Sequence, residues 1–156
     1  MTFTRRPTTP EDEAFLWKLF SELRAPEFAL LELPQDQLLQ LLVGQFRAQK
    51  QHYRNAYPAA EDVILMHGDI PIGNWIVAEL PRELRLVDIT LDTPYRGQGI
   101  GTTLLTELLN RAQAVEKEVV LHVEMNNPAR RLYDRAGFVE EAEVGIYWRM
   151  RYSPKT

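Results

Sequence analysis

Residues 96–102 read Arg-Gly-Gln-Gly-Ile-Gly-Thr, with Gly97, Gly99 and Gly101 alternating directly ahead of an apolar pattern at helical spacing. Glycine at such a place weakens a fold unless something must approach the backbone closely. A helix start exposes unpaired N–H groups and partial positive charge, so the chemistry on offer is anion binding. A Walker-type loop would end in Gly-Lys-Ser/Thr, and no lysine occurs here. A dinucleotide fingerprint needs Gly-x-Gly-x-x-Gly straight after a strand; here the glycines alternate and "DTPYR" intervenes. A plain glycine-rich loop before an ordinary helix stays open as the alternative.

Other reactive side chains are scattered. Asp88, Glu124 and Glu79 lie in strand-like runs, where each taken singly reads more readily as part of a solvated face. Tyr133 sits in a helical stripe with Ala129, Leu132 and Ala136, the pattern of a core tyrosine. His52, His67 and His122 share no metal-binding spacing, and His122 lies between core-type neighbours Leu121 and Val123; no metal is expected. There is no cysteine, which removes disulfides, thiolate ligation and a cysteine nucleophile.

These residues need elements to position them. "FTRRPTT" suits a short edge strand. Thr9, Pro10 and the acids after them open a helix carrying Phe15, Leu16, Leu19, Phe20 and Leu23, and Pro26 predicts its end. A second helix is predicted from Gln35 to about Asn55, with Leu38, Leu41, Leu42 and Phe46 on one side. "DVILMHGDIPIGNWIVAEL" reads as a hairpin about Gly68-Asp69. In "ELRLVDITL" the phase at Leu84 and Leu86 is ambiguous, while Val87, Ile89 and Leu91 alternate with Asp88 and Thr90. The glycine segment then opens a helix to about Val115, built on Ile100, Leu104, Leu105, Leu108 and Ala112. "EVVLHVEM" is a strand, "NPARRLYDRAGF" a short helix capped by Asn127, and "FVEEAEVGIYWRMRY" one or two strands. The order β-α-α-β-β-β-α-β-α-β(-β) implies a mixed α/β domain rather than repeated βαβ units.

Arg96, Gly99 and Gly101 satisfy R-x-x-G-x-G, and Asn126, Ala129, Leu132, Tyr133, Gly137 and Phe138 satisfy N-x-x-A-x-x-L-Y-x-x-x-G-F. Both patterns, in this order and separated by one helix and one strand, resemble those of the GNAT N-acetyltransferase superfamily. The likeness covers about Val63 to Met150 well and the first two helices only in layout. It implies a GNAT-like acyl-CoA N-acyltransferase fold, a single domain over residues 1–156, in which two central parallel strands, "LRLVDITL" and "EVVLHVEM", splay apart. It implies acetyl-CoA as co-substrate. Its arm would lie along Ile89, Thr90 and Leu91, and its pyrophosphate on the amides of Arg96, Gly97, Gln98, Gly99, Ile100, Gly101 and Thr102. Asn126 and Ala129 would also meet the cofactor, and Tyr133 would be the general acid toward the leaving thiolate. The reaction implied is direct attack of an amine on the thioester, with a backbone N–H near Thr90 or Leu91 as oxyanion donor. Asp88, Glu124 and Glu79 are the candidate general bases, and no family pattern selects among them. A lysine-like amine needs one, since with a pKa of ~10.4 its free base at pH 7 costs about 4.6 kcal/mol. Arg130 and Arg131 read either as reaching cofactor phosphates or as solvated.

The bulk numbers agree with a one-domain enzyme. The chain has 156 residues, 45% hydrophobic and 26% charged, with a net charge of -4. That balance disfavours a nucleic-acid partner, which would want a basic face. The start lacks an apolar leader, and no run nears the roughly 18 apolar residues of a membrane span, so a cytoplasmic protein without a membrane partner is expected. The acceptor that the resemblance implies is a small-molecule amine or a peptide or protein amine, and the first two helices hold Trp17, Glu22, Phe28, Glu32, Phe46, Tyr53 and Tyr57, a mix suited to an apolar or weakly cationic amine. Two other readings stand: a non-catalytic CoA-binding sensor or interaction domain, and a nucleotide-binding regulator. Dimers are common in the family, so a homodimer is a further expectation, with "VGIYWRM" offering an edge.

Overall fold

The periodicities of the chain resolve into seven strands and four α-helices in the computed structural model, which describes residues 2–156. In order these are β1 (Thr4–Pro7), α1 (Glu13–Ala29), α2 (Gln35–Ala56), β2 (Glu61–His67), β3 (Ile70–Glu79), β4 (Glu83–Leu91), α3 (Ile100–Val115), β5 (Glu118–Glu124), α4 (Arg130–Ala136), β6 (Val139–Val144) and β7 (Tyr147–Tyr152). Single 3-10 turns, Pro10–Asp12 and Thr93–Tyr95, precede α1 and the glycine loop. The sheet order is β1-β2-β3-β4-β5-β7-β6. β4 and β5 pair in parallel; the other neighbours are antiparallel.

The main core lies between the sheet and α3 and α4. Ile100, Leu104, Leu105, Leu108 and Ala112 are buried on α3 against Leu84, Leu86, Val119 and Leu121. Each large aliphatic side chain withdrawn in this way contributes about 1.5–3 kcal/mol over leaving it in water. A second cluster of Phe20, Phe28, Leu42 and Phe46 joins α1 to α2 on the other side. At the entry to α1, Arg6 grips Asp12 with both guanidinium nitrogens at 2.7 and 2.8 Å, and Asp12 accepts from the N–H of Thr9 at 2.8 Å. The arginine, and then the Thr9 N–H, hold the Asp12 carboxyl at about 2 despite the opposing effect of its burial.

The edge expected at "VGIYWRM" is not found, since β7 pairs with β5 on one side and β6 on the other, and three further sequence expectations are corrected. α1 does not stop at Pro26 but runs through it to Ala29, because the extra turn buries Phe28 in the second cluster. Proline there removes one N–H near the helix end, where few bonds remain to lose. Leu41 does not join the buried side of α2; it is 38% exposed, whereas Leu42 and Phe46 are buried.

The third correction shapes the site. Ile76 pairs with Asp88 and Val77 with Leu86, so Val87 is an extra residue, a β-bulge. Leu84 and Leu86 face the main core before it, and Ile89 and Leu91 pack on the same core after it. Val87, the extra residue, is not among the residues packed on that core, whereas Ile89 and Leu91 are. Unbroken alternation would have sent Asp88 to the face of Leu84 and Leu86; the bulge turns Asp88 and Thr90 to the other face.

Candidate active site

The loop that ends β4 is tied down by its own side chains. Asp92 accepts from the Thr93 N–H at 3.0 Å and pairs with Lys18 of α1 at 2.9 Å. Arg96 Nε donates to the Leu91 carbonyl at 3.0 Å, and Gln98 Nε2 to the Pro94 carbonyl at 2.8 Å. Gly97 and Gly99 have φ of 72° and 85°, the left-handed region that favours glycine. A Cβ added at either would meet nothing within 4 Å, so the loop's outer surface is open. Gly99 precedes α3 without any side-chain cap, leaving the first-turn amides of α3, from Ile100 to Thr102, free to take an anion. Ile100 anchors this turn in the core, while Thr102 is exposed. Gly101 has a different reason: its Cβ would lie 3.2 Å from Leu132 Cδ2, so its small size serves the packing of α4 on α3.

Pairing between β4 and β5 runs from Glu83↔Glu118 to Leu86↔Leu121 and stops at the bulge. Beyond it the strands fork, and the edge of β4 from Val87 to Leu91 has no strand partner on that side. A cavity of about 110 Å³ fills the fork. Asp88, Ile89 and Thr90 line it from β4, His122 and Glu124 from β5, Asn127 and Tyr133 from the α4 region, Arg24 from α1, and Lys50 and Tyr53 from α2. Leu91 does not line it; its side chain packs on the main core, as that of Ile89 also does. Asp88, Glu124 and Tyr133 thus come together. Glu79 does not join them: it ends β3 opposite Leu84, ion-paired to Arg111 at 2.9 Å and Lys117 at 3.4 Å, and those partners push its pKa down. Asn126 lies exposed in the turn after β5, whereas Asn127 borders the cavity and its Oδ1 accepts from the Ala129 N–H at 2.9 Å, at the start of α4. Arg130 lies over Trp148 and pairs with Asp134 and Glu140; Arg131 is exposed.

Electrostatics separates the ionisable groups. Tyr133 is 5% exposed and packs edge-on against Phe138; its burial, and then the charge of Asp88, push its pKa up. Burial raises the Asp88 carboxyl, against the opposing pull of Lys50, of a 3.2 Å bond from Thr90 and of Arg24. Glu124 is raised by burial and by Glu27, but Arg24 holds it at 2.8 Å. Burial and the neighbouring arginines Arg85 and Arg149 lower the His122 pKa, which suits a neutral ring receiving Arg85 Nη1 at Nδ1, 3.0 Å away. No group of three or more metal-type ligands occurs among the described residues, and no described helix is long and apolar enough to cross a membrane.

Of the acceptor-side residues expected from the first two helices, Trp17, Phe28 and Phe46 belong to the α1–α2 cluster, and Glu22 and Glu32 are exposed. Tyr53 and Tyr57 do line cavities. Sequence reasoning missed Arg24 and Lys50. The signal for Arg24 was present: it follows Leu16 and Phe20 at steps of four, a charge in phase with an apolar stripe.

The model of the acetyltransferase (GNAT) family matches residues 17–138. No curated protein matches the sequence. Among solved structures, the chain is similar to the PaiA N-acetyltransferase of Thermoplasma acidophilum in complex with coenzyme A, at 18% identity and a TM-score of 0.72, covering 98% of this chain and 99% of that one. It is similar to an acetyltransferase from Thermus thermophilus, at 20% identity and 0.69, over 98% and 97% of the two chains. Ard1 from Thermoplasma volcanium shares 17% identity at 0.65, over the full length of both.

Proposed function

The chain belongs to the GNAT acetyltransferase family, and from that premise we propose that it moves an acetyl group from acetyl-CoA to a primary amine by direct attack in a ternary complex. The observation that carries this reading is the fork between β4 and β5, with open amides beside it and Asp88 and Tyr133 in its cavity. The residues present fit the co-substrate. Free amides from Gly97 to Thr102 suit a diphosphate, and the unpaired edge of β4 suits a peptide-like arm lying along it as a surrogate strand. When bound, acetyl-CoA supplies the activated acetyl thioester.

The chain's own groups do the rest. Tyr133, with its pKa pushed up, stays protonated at neutral pH and holds a proton at Oη for the leaving sulfur. Asp88 is the better base: its raised pKa brings it nearer neutrality, where a carboxylate both ionises and accepts a proton effectively. Glu124 is engaged by Arg24 and Glu79 lies outside the cavity, so neither is assigned that role. The N–H groups on the unpaired edge of β4 are the oxyanion donors.

Calorimetric titration with acetyl-CoA, followed by thiol release over a panel of amines, tests this. Binding together with amine-dependent release is the expected result. Binding without release from any amine would leave a CoA-binding domain, and preference for ATP or NAD over CoA would overturn the assignment of the loop.

A further inference from the structure

This inference rests on the acetyl-transfer reading and concerns its acceptor. Beside the fork a second cavity, of about 540 Å³, opens between α2 and strands β4, β5 and β7, and it shares Arg24, Tyr53 and His122 with the first. Its ionisable lining is one-sided. Arg24, His52, Arg85 and His122 reach it from four different elements, and no carboxylate lines it. Glu124 and Glu83 pair with the two arginines from outside that lining, at 2.8 and 3.3 Å. Even so, Nε of Arg24 and Nε of Arg85 are buried without an acceptor, and they are the two such side-chain atoms found among the described residues.

A buried donor without a partner carries a desolvation penalty, so both guanidinium groups are under-paired where they stand. Guanidinium groups offer their N–H bonds in pairs, a geometry that matches a carboxylate. Because Glu124 and Glu83 already offset much of the positive charge, a planar monoanion fits this wall better than a dianionic phosphate. The fork cavity, unlike this one, has carboxylates in its lining, Asp88 and Glu124 beside Arg24 and Lys50. Arg85 precedes Asp88 by three strand positions, which span roughly 10 Å at most at about 3.3 Å each, and Arg24 borders both cavities. We propose that the acceptor is a primary amine that also bears a carboxylate, its nitrogen toward Asp88 and its carboxylate held by Arg24 and Arg85. This reverses the weakly cationic acceptor expected from the first two helices, whose Glu22 and Glu32 line neither cavity.

The test compares matched acceptors in the thiol-release assay: phenylalanine with phenethylamine, leucine with isoamylamine, and δ-aminovalerate with pentylamine. In at least one pair the carboxylate-bearing amine should exceed its partner about tenfold or more in kcat/KM. Arg24→Gln and Arg85→Gln should pull that ratio toward one, mainly through KM, and Arg85→Lys should keep part of it. Calorimetric titration with acetyl-CoA checks that each variant is folded. A ratio unchanged in both variants, each still binding acetyl-CoA, would overturn the assignment of the carboxylate to Arg24 and Arg85. Equal rates within every pair, or faster release with the neutral partners, would overturn the acceptor class and leave acetyl transfer intact. No release from any amine, with acetyl-CoA bound, would overturn acetyl transfer itself and this inference with it.

Discussion

Asp88 and Tyr133 line one cavity although they belong to opposite faces of the sheet: Tyr133 packs in the α3–α4 core, and Asp88 lies within the fields of Lys50 and Arg24 of the first two helices. The negative charge of Asp88 helps keep the phenol protonated. The fork is what lets groups on two faces act on one another, since paired strands would close the gap between them.

Tyr133→Phe should lower kcat by about 100-fold, the low end for a lost general acid, while leaving the Kd for acetyl-CoA nearly unchanged. The edge-on contact with Phe138 survives the substitution, so the core stays filled. Steady-state rates and calorimetric titration on one preparation separate the two quantities. Unaltered turnover, with chemistry shown to limit it, would remove Tyr133 from the mechanism.

With Asp88 as the proposed base, the reaction should show an acid limb. A base must be ionised to work, so kcat/KM should fall as the pH drops through the Asp88 pKa, which burial sets above the ordinary carboxylate value of 3.8. Asp88→Asn should lower kcat/KM by about 100-fold and abolish that limb. A limb that persists unchanged in the variant belongs to another group.

The glycines of the loop should separate by role. Gly99→Asp places an L-residue at φ of 85°, at a cost of about 1–2 kcal/mol, and sets a negative charge beside the anion site. Its Kd for acetyl-CoA should rise about tenfold or more, the effect of roughly 1.4 kcal/mol. Gly101→Ala instead presses on Leu132 and keeps its amide, so it should leave that Kd nearly unchanged, with any effect falling on the thermal midpoint. The reverse pattern, with Gly101→Ala harming affinity and Gly99→Asp sparing it, would relocate the phosphate site.

Acid stability should depend on Asp12. Its carboxyl is depressed from 3.8 to about 2, so its contribution is fully present above pH 3.8 and is lost as pH falls through about 2. Discounted for the solvent exposure of Arg6, that contribution is about 1–2 kcal/mol. Asp12→Asn should lose it at neutral pH and flatten the dependence below pH 4 in denaturant titrations. Equal pH slopes for the two proteins would show that the pair contributes nothing.

Much of this molecule follows from signals a few residues long. The turn at Gly68-Asp69, the stop of α4 at Gly137, the buried stripe of α3 and the left-handed glycines before it all express local backbone demands, and each is legible in the chain; the cap expected at Asn127 is instead a turn bond to Ala129, the N-cap of α4. Even the ambiguous phase of "ELRLVDITL" was a real signal, since it marks the bulge at Val87. Tertiary structure alone decided which strand carboxylates share a cavity. Asp88, Glu124 and Glu79 look alike as strand residues; register brings the first two to the fork and leaves Glu79 paired with Arg111. It also decided that Pro26 would be carried through α1, because burial of Phe28 outweighs one missing N–H. The cluster of Arg24, Arg85 and His122 was hidden for the same reason: the three come from elements distant in sequence, and strand pairing of β4 with β5 together with packing of α1 on the sheet makes them neighbours. Periodicity and spacing encode what a segment does with its own backbone, whereas a site built across segments depends on burial and charge that exist only once they meet.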